Sequence, residues 1–304
     1  MAKPTVTIGV CVRNCEAFIV DVINSVTDQD FPHDRMEVVF VDDGSKDGTL
    51  SVISRSVPKL DMQAKMFHNR WMGLGRVRNV VVENAEGDYI LWVDGDMMLP
   101  RDHVSKQVDF MEHNPSVGIA KSRYGIDPNQ NLVAALENIV FLAFDFRYAG
   151  EANPKVLGTG GSIYRVQAIR QIGGFDDTIT GTGEDMDAEY RIGKAGWLLY
   201  RATPAMFFER FRRTWVDLWK EGVWHGYGVH RVFRKNKGQI VLHRMIPPVA
   251  FIVGVWLSTM AYRLIRRRWV FLLPIQYAFK RIAWCIGFAK GQIDDRRKVD
   301  TASE

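Results

Sequence analysis

Cysteine is scarce in this sequence: Cys11, Cys15 and Cys285 are the three thiols in 304 residues. Three cysteines cannot build a disulfide framework, and no His or Cys partners follow the first pair at zinc-finger spacing. A stapled secreted scaffold is therefore excluded, no structural zinc is expected, and the composition fits a reducing compartment. An N-terminal secretory core is also missing. Lys3-Pro4 leads into a short apolar stretch that meets Arg13 before such a core could form, so the domain is expected to work in the cytoplasm. Long uncharged runs are absent except in the tail.

What is present is material for one large core and an appendage, at 47% hydrophobic and 25% charged residues. The net charge of +5 hides an asymmetry. Residues 1–209 hold 21 Lys/Arg against 29 Asp/Glu, whereas 210–304 hold 19 against 6. A basic tail suits a nucleic acid or an anionic membrane, and the apolar runs between its charges favour the membrane. Nucleic acid is not expected as a partner.

The first two hundred residues alternate between strand-like and helix-like patterns. Thr5–Val12 is β-branched and ends at the polar loop Arg13-Asn14, and Phe18, Ile19, Val22, Ile23 and Val26 recur at helical spacing. Met36–Val41 is a second strand followed by a helix through Leu50, Ile53 and Val57, and Gln63–Phe67 a third followed by Leu74, Val77, Val81 and Ala85. Asp88–Asp94 is the fourth, an apolar run buried on both faces. A helix over about 101–113, a strand at 117–122, a helix over about 132–147 that reads as plain core, and a helix opening at Glu184 come next. The fold class is α/β, a doubly wound and mostly parallel sheet.

Acids cluster where such strands end. Asp94-Gly95-Asp96 closes the fourth strand, and it reads either as a metal-binding pair or as Asp-Gly turn chemistry. Asp42-Asp43-Gly44 closes the second. Its carboxylates either accept hydrogen bonds from a nucleoside or cap the next helix, and its glycines let backbone approach a ligand. Arg78, near the start of its helix, suits a diphosphate, or else is solvated surface charge. Gly158-Thr-Gly160-Gly161 is a segment where backbone can pass close to a bound group. Glu184-Asp185 opens a helix after glycine-rich loops, so the acids either favour the helix dipole or face a cleft and receive a proton.

Taken in order, Val-Asp42-Asp43-Gly-Ser-x-Asp-Gly-Thr, Gly-x-x-x-Arg78-Asn79, Asp94-x-Asp96, Gly-Gly-x-x-Tyr-Arg165, Gly-Gly-Phe-Asp, Glu184-Asp185-x-Asp and Arg191 resemble the family-2 inverting glycosyltransferases of GT-A fold, over residues 5–235 or so. The resemblance implies a metal-dependent enzyme using a nucleoside-diphosphate sugar and Mg²⁺ or Mn²⁺. Asn14, Asp42, Asp43, Gly44, Arg78, Asp94, Gly160, Gly161 and Arg213 would bind the donor, Asp94 and Asp96 the metal. Asp185, beside Glu184, would be the base that deprotonates an acceptor hydroxyl. Relatives often carry a metal-binding His after the last strand. Here Glu209 stands near that place, either as a hard-ligand substitute or as a bystander. A base implies a protonated nucleophile, which favours a hydroxyl of a lipid-linked or glycan acceptor over a polyprenyl phosphate. Tyr227-Gly228-x-x-Arg231 is similar to a stretch in membrane-associated members, and the lack of a clear Gln-x-x-Arg-Trp signature favours addition of a single sugar.

The domain boundary is expected at 235/236, with a membrane-associated helical tail over 236–304. Met245–Tyr262 is uncharged for 18 residues, marginally enough to cross a bilayer, and Trp269–Phe279 is shorter and interrupted by Lys280-Arg281. A spanning hairpin would carry Arg266–Arg268 to the far side, so helices lying at the cytoplasmic face of an anionic membrane are preferred. A soluble helical subdomain or a homo-oligomer interface is the alternative. The competing functions are a polyprenyl-phosphate glycosyltransferase, a nucleotidyltransferase, and a non-catalytic nucleotide-sugar-binding membrane subunit.

Overall fold

The computed structural model describes residues 3–150, 157–179, 181–236 and 245–302. Chain contacts divide it into two compact units. The first comprises residues 1–125, 148–180 and 184–209; the second comprises 126–147, 181–183 and 210–304.

An eight-stranded sheet forms the first unit, in the order β3-β2-β1-β4-β7-β6-β8-β5. Its strands are β1 Val6–Val12, β2 Met36–Asp43, β3 Gln63–Asn69, β4 Tyr89–Asp94, β5 Met97–Met98, β6 Val117–Tyr124, β7 Ser162–Arg165 and β8 Leu198–Glu209. β1 pairs in parallel with β2 and β4, β2 with β3, and β6 with β8, while β7 and β5 run antiparallel to their neighbours. Every residue of β1 and β2 is buried, in keeping with their largely apolar runs, and Glu37, Asp42 and Asp43 are buried with them. Helices α1 Ile19–Thr27, α2 Thr49–Ser56, α3 Leu74–Asn84, α4 His103–His113, α6 Val166–Gln171 and α7 Glu184–Lys194 belong to the same unit.

Register decides what lies side by side. Cys11 pairs with Asp94, and Val12 with Asp42. The acid-bearing ends of β2 and β4 thus flank the end of β1, at the carboxyl edge where open α/β sheets bind ligands. Beneath that edge Trp92 meets Tyr164 and Phe175 edge-on, with ring centroids 6.0 and 5.5 Å away.

The second unit is helical: α5 Leu132–Arg147, α8 Trp215–Lys235, α9 Pro247–Ile265 and α10 Leu273–Ala302. The expected boundary at 235/236 falls inside this unit, because α8 packs with α10 rather than closing the sheet unit. α5 is not plain apolar core either. It buries Glu137, which accepts hydrogen bonds from Gln276 at 3.2 Å and from Lys280. That pairing explains why Lys280-Arg281 does not interrupt the tail: α10 runs through it, since Lys280 meets a buried carboxylate. α9 is the one described helix long and apolar enough to cross a membrane by length and composition, with 28% of its apolar window buried.

Glycines bring α8 and α10 close. A Cβ on Gly226 would collide with the Trp284 carbonyl, one on Gly287 with that of Val223, and one on Gly222 would lie 2.8 Å from the Ala283 methyl. Gly228, in the Tyr-Gly-x-x-Arg stretch, lies against the Thr182 backbone. Its glycine therefore has a packing reason of its own. Gly287→Val should cost about 1–3 kcal/mol in urea unfolding through overpacking. Gly193→Ala, whose methyl would make ordinary contact with Leu199 at 3.5 Å inside α7, should be neutral or stabilising in the same measurement.

Candidate active site at the carboxyl edge of the sheet

The loops after β1 and β2 are laced together. Asn14, at φ 52°, donates its N–H to Ser45 Oγ at 2.9 Å and accepts from the Lys46 N–H through Oδ1 at 2.8 Å. Asp42 is fully buried and accepts from the Ser45 N–H at 3.1 Å, from the Ser45 hydroxyl, and from His68 Nδ1 at 2.8 Å. Asp43 accepts from the Met72 and Gly73 N–H groups at 2.6 and 3.2 Å. Both carboxylates thus organise the loops around them. Between them and Trp71, Gly44 takes a left-handed φ of 71°, and a Cβ there would lie 2.8 Å from the Trp71 nitrogen.

Arg78 is buried at 5% exposure rather than solvated. It sits in the second turn of α3, forms an ion pair with Glu184, and places Nη2 3.7 Å from Asp94 Oδ1. One guanidinium therefore joins the end of β4 to the start of α7. Glu184 is buried in this pair, whereas the next residue, Asp185, remains partly exposed with its Oδ1 accepting from the Met186 N–H at 2.8 Å. Of the two acids, Asp185 is the more exposed.

The glycine segment comes against the same acids. A Cβ on Gly160 would lie 2.7 Å from Asp94 Oδ2, so only glycine fits without a shift. Gly161, at φ 68°, donates to the Trp92 carbonyl at 3.0 Å, and its own carbonyl accepts from the Ser122 hydroxyl and the Gln107 amide. Lys121, buried in β6, donates to the Gly160 carbonyl. Other members of the motif series are structural braces: Asn79 exchanges two hydrogen bonds with the Phe175 backbone, and Arg191 pairs with Asp187 while donating to the Ile172 and Gly174 carbonyls.

Asp96 is partly exposed, and the pairing of β5 with β8 sets the next residue, Met97, directly opposite Glu209. Burial raises the Cys15 thiol to about 11, and the negative charges of Asp47, Asp96 and Asp42 act in the same direction. Among the described residues no three His, Cys, Asp or Glu side chains are gathered as a ready-made metal cage. A hard divalent ion such as Mg²⁺ does not require such a cage, because it takes one or two carboxylates and completes its shell with water and substrate phosphate, and Asp94 and Asp96 are oxygen donors of that type. Arg213 belongs to the second unit, where it is exposed and its carbonyl accepts from the Asn131 amide at 2.7 Å.

Two buried residues escaped the sequence reading. Lys121 is a cation in the middle of strand β6, and Glu189 follows Asp185 by four residues, hence on the same helix face. Burial pushes the Glu189 carboxyl up to about 8, with the Asp185 charge adding to the effect.

Comparison with known proteins agrees with this architecture. The chain is 34% identical over 111 residues to the Staphylococcus aureus poly(ribitol-phosphate) beta-N-acetylglucosaminyltransferase TarS, a match covering 36% of the chain and 19% of the length of that relative. It is 24% identical to the succinoglycan biosynthesis protein ExoA of Rhizobium meliloti, over 86% of the chain and 87% of ExoA. Among solved structures, the mannosyltransferase PcManGT of Pyrobaculum calidifontis in complex with GDP-Man and Mn²⁺ superposes with a TM-score of 0.66 at 17% identity, covering 96% of this chain and 88% of that one. TarS 1–349 superposes at 0.51 and 18% identity, over 95% and 92%. These likenesses establish a GT-A type fold. The family described as Glycosyl transferase family 2 matches residues 7–173, more than half of the sequence, and the chain belongs to that family.

Proposed function

We propose that this chain is an inverting glycosyltransferase that moves one sugar from a nucleoside-diphosphate donor to a hydroxyl of a lipid-linked or other membrane-proximal acceptor, with Mg²⁺ or Mn²⁺ as cofactor. The observation that carries the reading is the Arg78 link. It draws the end of β4, with Asp94, to the start of α7, where Asp185 stands partly exposed. A donor end and a base are thereby joined within the first unit, to which the catalytic role is assigned. Donor use is supported by family membership and by PcManGT, whose complex holds GDP-Man and Mn²⁺.

Asp94 and Asp96, with Glu209 opposite Met97, would hold the divalent ion, which when bound offsets the negative charge developing on the leaving diphosphate. Arg78 orients Asp94 by its charge. The laced loops carrying Asn14, Asp42, Asp43 and Gly44 shape the nucleoside side, and the close approach of Gly160 to Asp94 leaves backbone rather than side chain facing the donor. Asp185 takes the proton of the acceptor hydroxyl as that oxygen attacks, with Glu184 held neutralised against Arg78.

The second unit is assigned to the cytoplasmic face of an anionic membrane. On α9, Phe251, Ile252, Val255 and Trp256 are exposed together, Ile252 at 68%, and Arg266, Arg267 and Arg268 are exposed immediately beyond the helix. Apolar side chains beside arginines suit an acyl boundary beneath anionic headgroups.

In a test with UDP-, GDP-, dTDP- and CDP-sugars, nucleoside diphosphate release should require Mn²⁺ or Mg²⁺ and should be lost in Asp96→Ala. Asp185→Asn should bind donor normally in a thermal-shift titration yet turn over roughly 10²–10⁴-fold more slowly. Undiminished transfer by Asp185→Asn would instead favour a polyprenyl-phosphate acceptor, which needs no base.

Flotation with vesicles containing phosphatidylserine should recover the full chain. The triple change of Arg266, Arg267 and Arg268 to Ala should weaken that binding by about 100-fold, at roughly 1 kcal/mol for each arginine. Equal binding to neutral vesicles would remove the electrostatic part of the assignment.

A further inference from the structure

Asp185 and Glu189 lie one helical turn apart on α7 and therefore share a face. Glu189 is 1% exposed, and its two oxygens accept from the Leu157 and Gly158 N–H groups at 2.9 and 2.6 Å. Those residues open the glycine segment whose Gly160 meets Asp94. The point that a Cβ on Gly158 would occupy lies 3.8 Å from Asp185 Oδ2 and 4.0 Å from Lys121 Nζ. Gly158 itself has φ 79°, a backbone state that favours glycine. Asp185, Glu189 and Lys121 thus converge on one stretch of backbone.

We propose that Glu189 is a positioning residue for Asp185: it clamps the glycine segment against α7, and the proton it carries keeps a second negative charge away from the base. The inference rests on the assignment of Asp185 as the base. It adds a residue outside the motif series, acting through Asp185 and the loop rather than on substrate.

The surroundings of Glu189 support a carboxyl that holds its proton near neutrality. Burial is the largest influence, and the Asp185 charge acts in the same direction. The Leu157 and Gly158 N–H groups and Lys121 oppose it, leaving the carboxyl at about 8. Tyr164, from β7, is also buried, and burial followed by the negative charges of Glu189 and Asp185 raises its hydroxyl well above the ordinary value. As pH rises through about 8, Glu189 ionises beside Asp185. A new negative charge then stands beside the base and the clamped glycine segment, so turnover changes with an inflection that belongs to Glu189.

The test measures nucleoside diphosphate release from UDP-N-acetylglucosamine and GDP-mannose with Mn²⁺, between about pH 6 and 9.5, for the wild type, Glu189→Gln and Asp185→Asn. The wild type should show a step in kcat of roughly threefold or more near pH 8, and Glu189→Gln should lose that step. A Glu189→Gln profile identical to the wild type, step included, overturns the proposal. Undiminished turnover in Asp185→Asn removes the base assignment and this proposal with it. Loss in Asp185→Asn with an unaltered Glu189→Gln profile removes this proposal alone.

A second readout does not depend on turnover. An acid whose folded value is raised from 4.5 to about 8 binds its proton more tightly folded than unfolded, so the wild type loses stability as pH rises across that window. The melting temperature of Glu189→Gln relative to the wild type should therefore climb between these two pH values and level off above the second. A constant difference overturns the proposal. Should Glu189→Gln not fold, carboxyl NMR of wild-type protein ¹³C-labelled at glutamate serves instead. A signal titrating near pH 8 is the expected result, and titration of every glutamate below about pH 6 overturns it.

Discussion

The arrangement at the sheet edge depends on one buried cation. Arg78 lies among carboxylates on two elements far apart in sequence, pairing with Glu184 and standing 3.7 Å from Asp94. A guanidinium at 5% exposure is costly to desolvate, and equally costly to leave unpaired, so the end of β4 and the start of α7 are constrained to stay with it. Truncating a partner in such a cluster strands buried charge. The acids that surround it share that constraint, which is why Glu184 is better described as a fixed counter-ion than as a free proton acceptor.

Around this cation the glycines do steric work. Gly160 leaves room for Asp94, Gly161 for Phe207 and Ser122, and Gly44 for the Trp71 backbone. A glycine segment with no support would be loose, and here it is held from several sides. Lys121 and Gln107 donate to its carbonyls, Glu189 accepts from its first N–H groups, and Gly161 donates to β4. The glycine segment is thereby fixed to the sheet. Preorganisation of this kind is what electrostatic stabilisation of a transition state requires.

The second unit follows different rules. Its close packing comes from glycines on α8 and α10, and its charge from pairs such as Lys280 with Glu137. Lys280-Arg281 interrupts the apolar run but not the helix, and the buried acid on α5 that Lys280 meets, 143 residues earlier in the chain, could not be seen in local pattern.

Local pattern was nevertheless sufficient for much of the fold. The mainly apolar runs at 36–41 and 89–93 specify strands buried on both faces, and 3.6-residue periodicity between them specifies covering helices, so the doubly wound sheet follows from the sequence itself. The ordered acids and glycines likewise specify which edge of the sheet bears the candidate site. What only tertiary structure decided is which polar groups are already occupied. Asp42 and Asp43 are engaged by loop backbone, Arg78 by Glu184, and Asn79 by Phe175, whereas Asp185 remains partly exposed. Residue type and spacing report what a side chain is able to bind. Its partners are set by long-range packing, because a hydrogen bond or ion pair between residues about a hundred positions apart exists only after the sheet has brought them together.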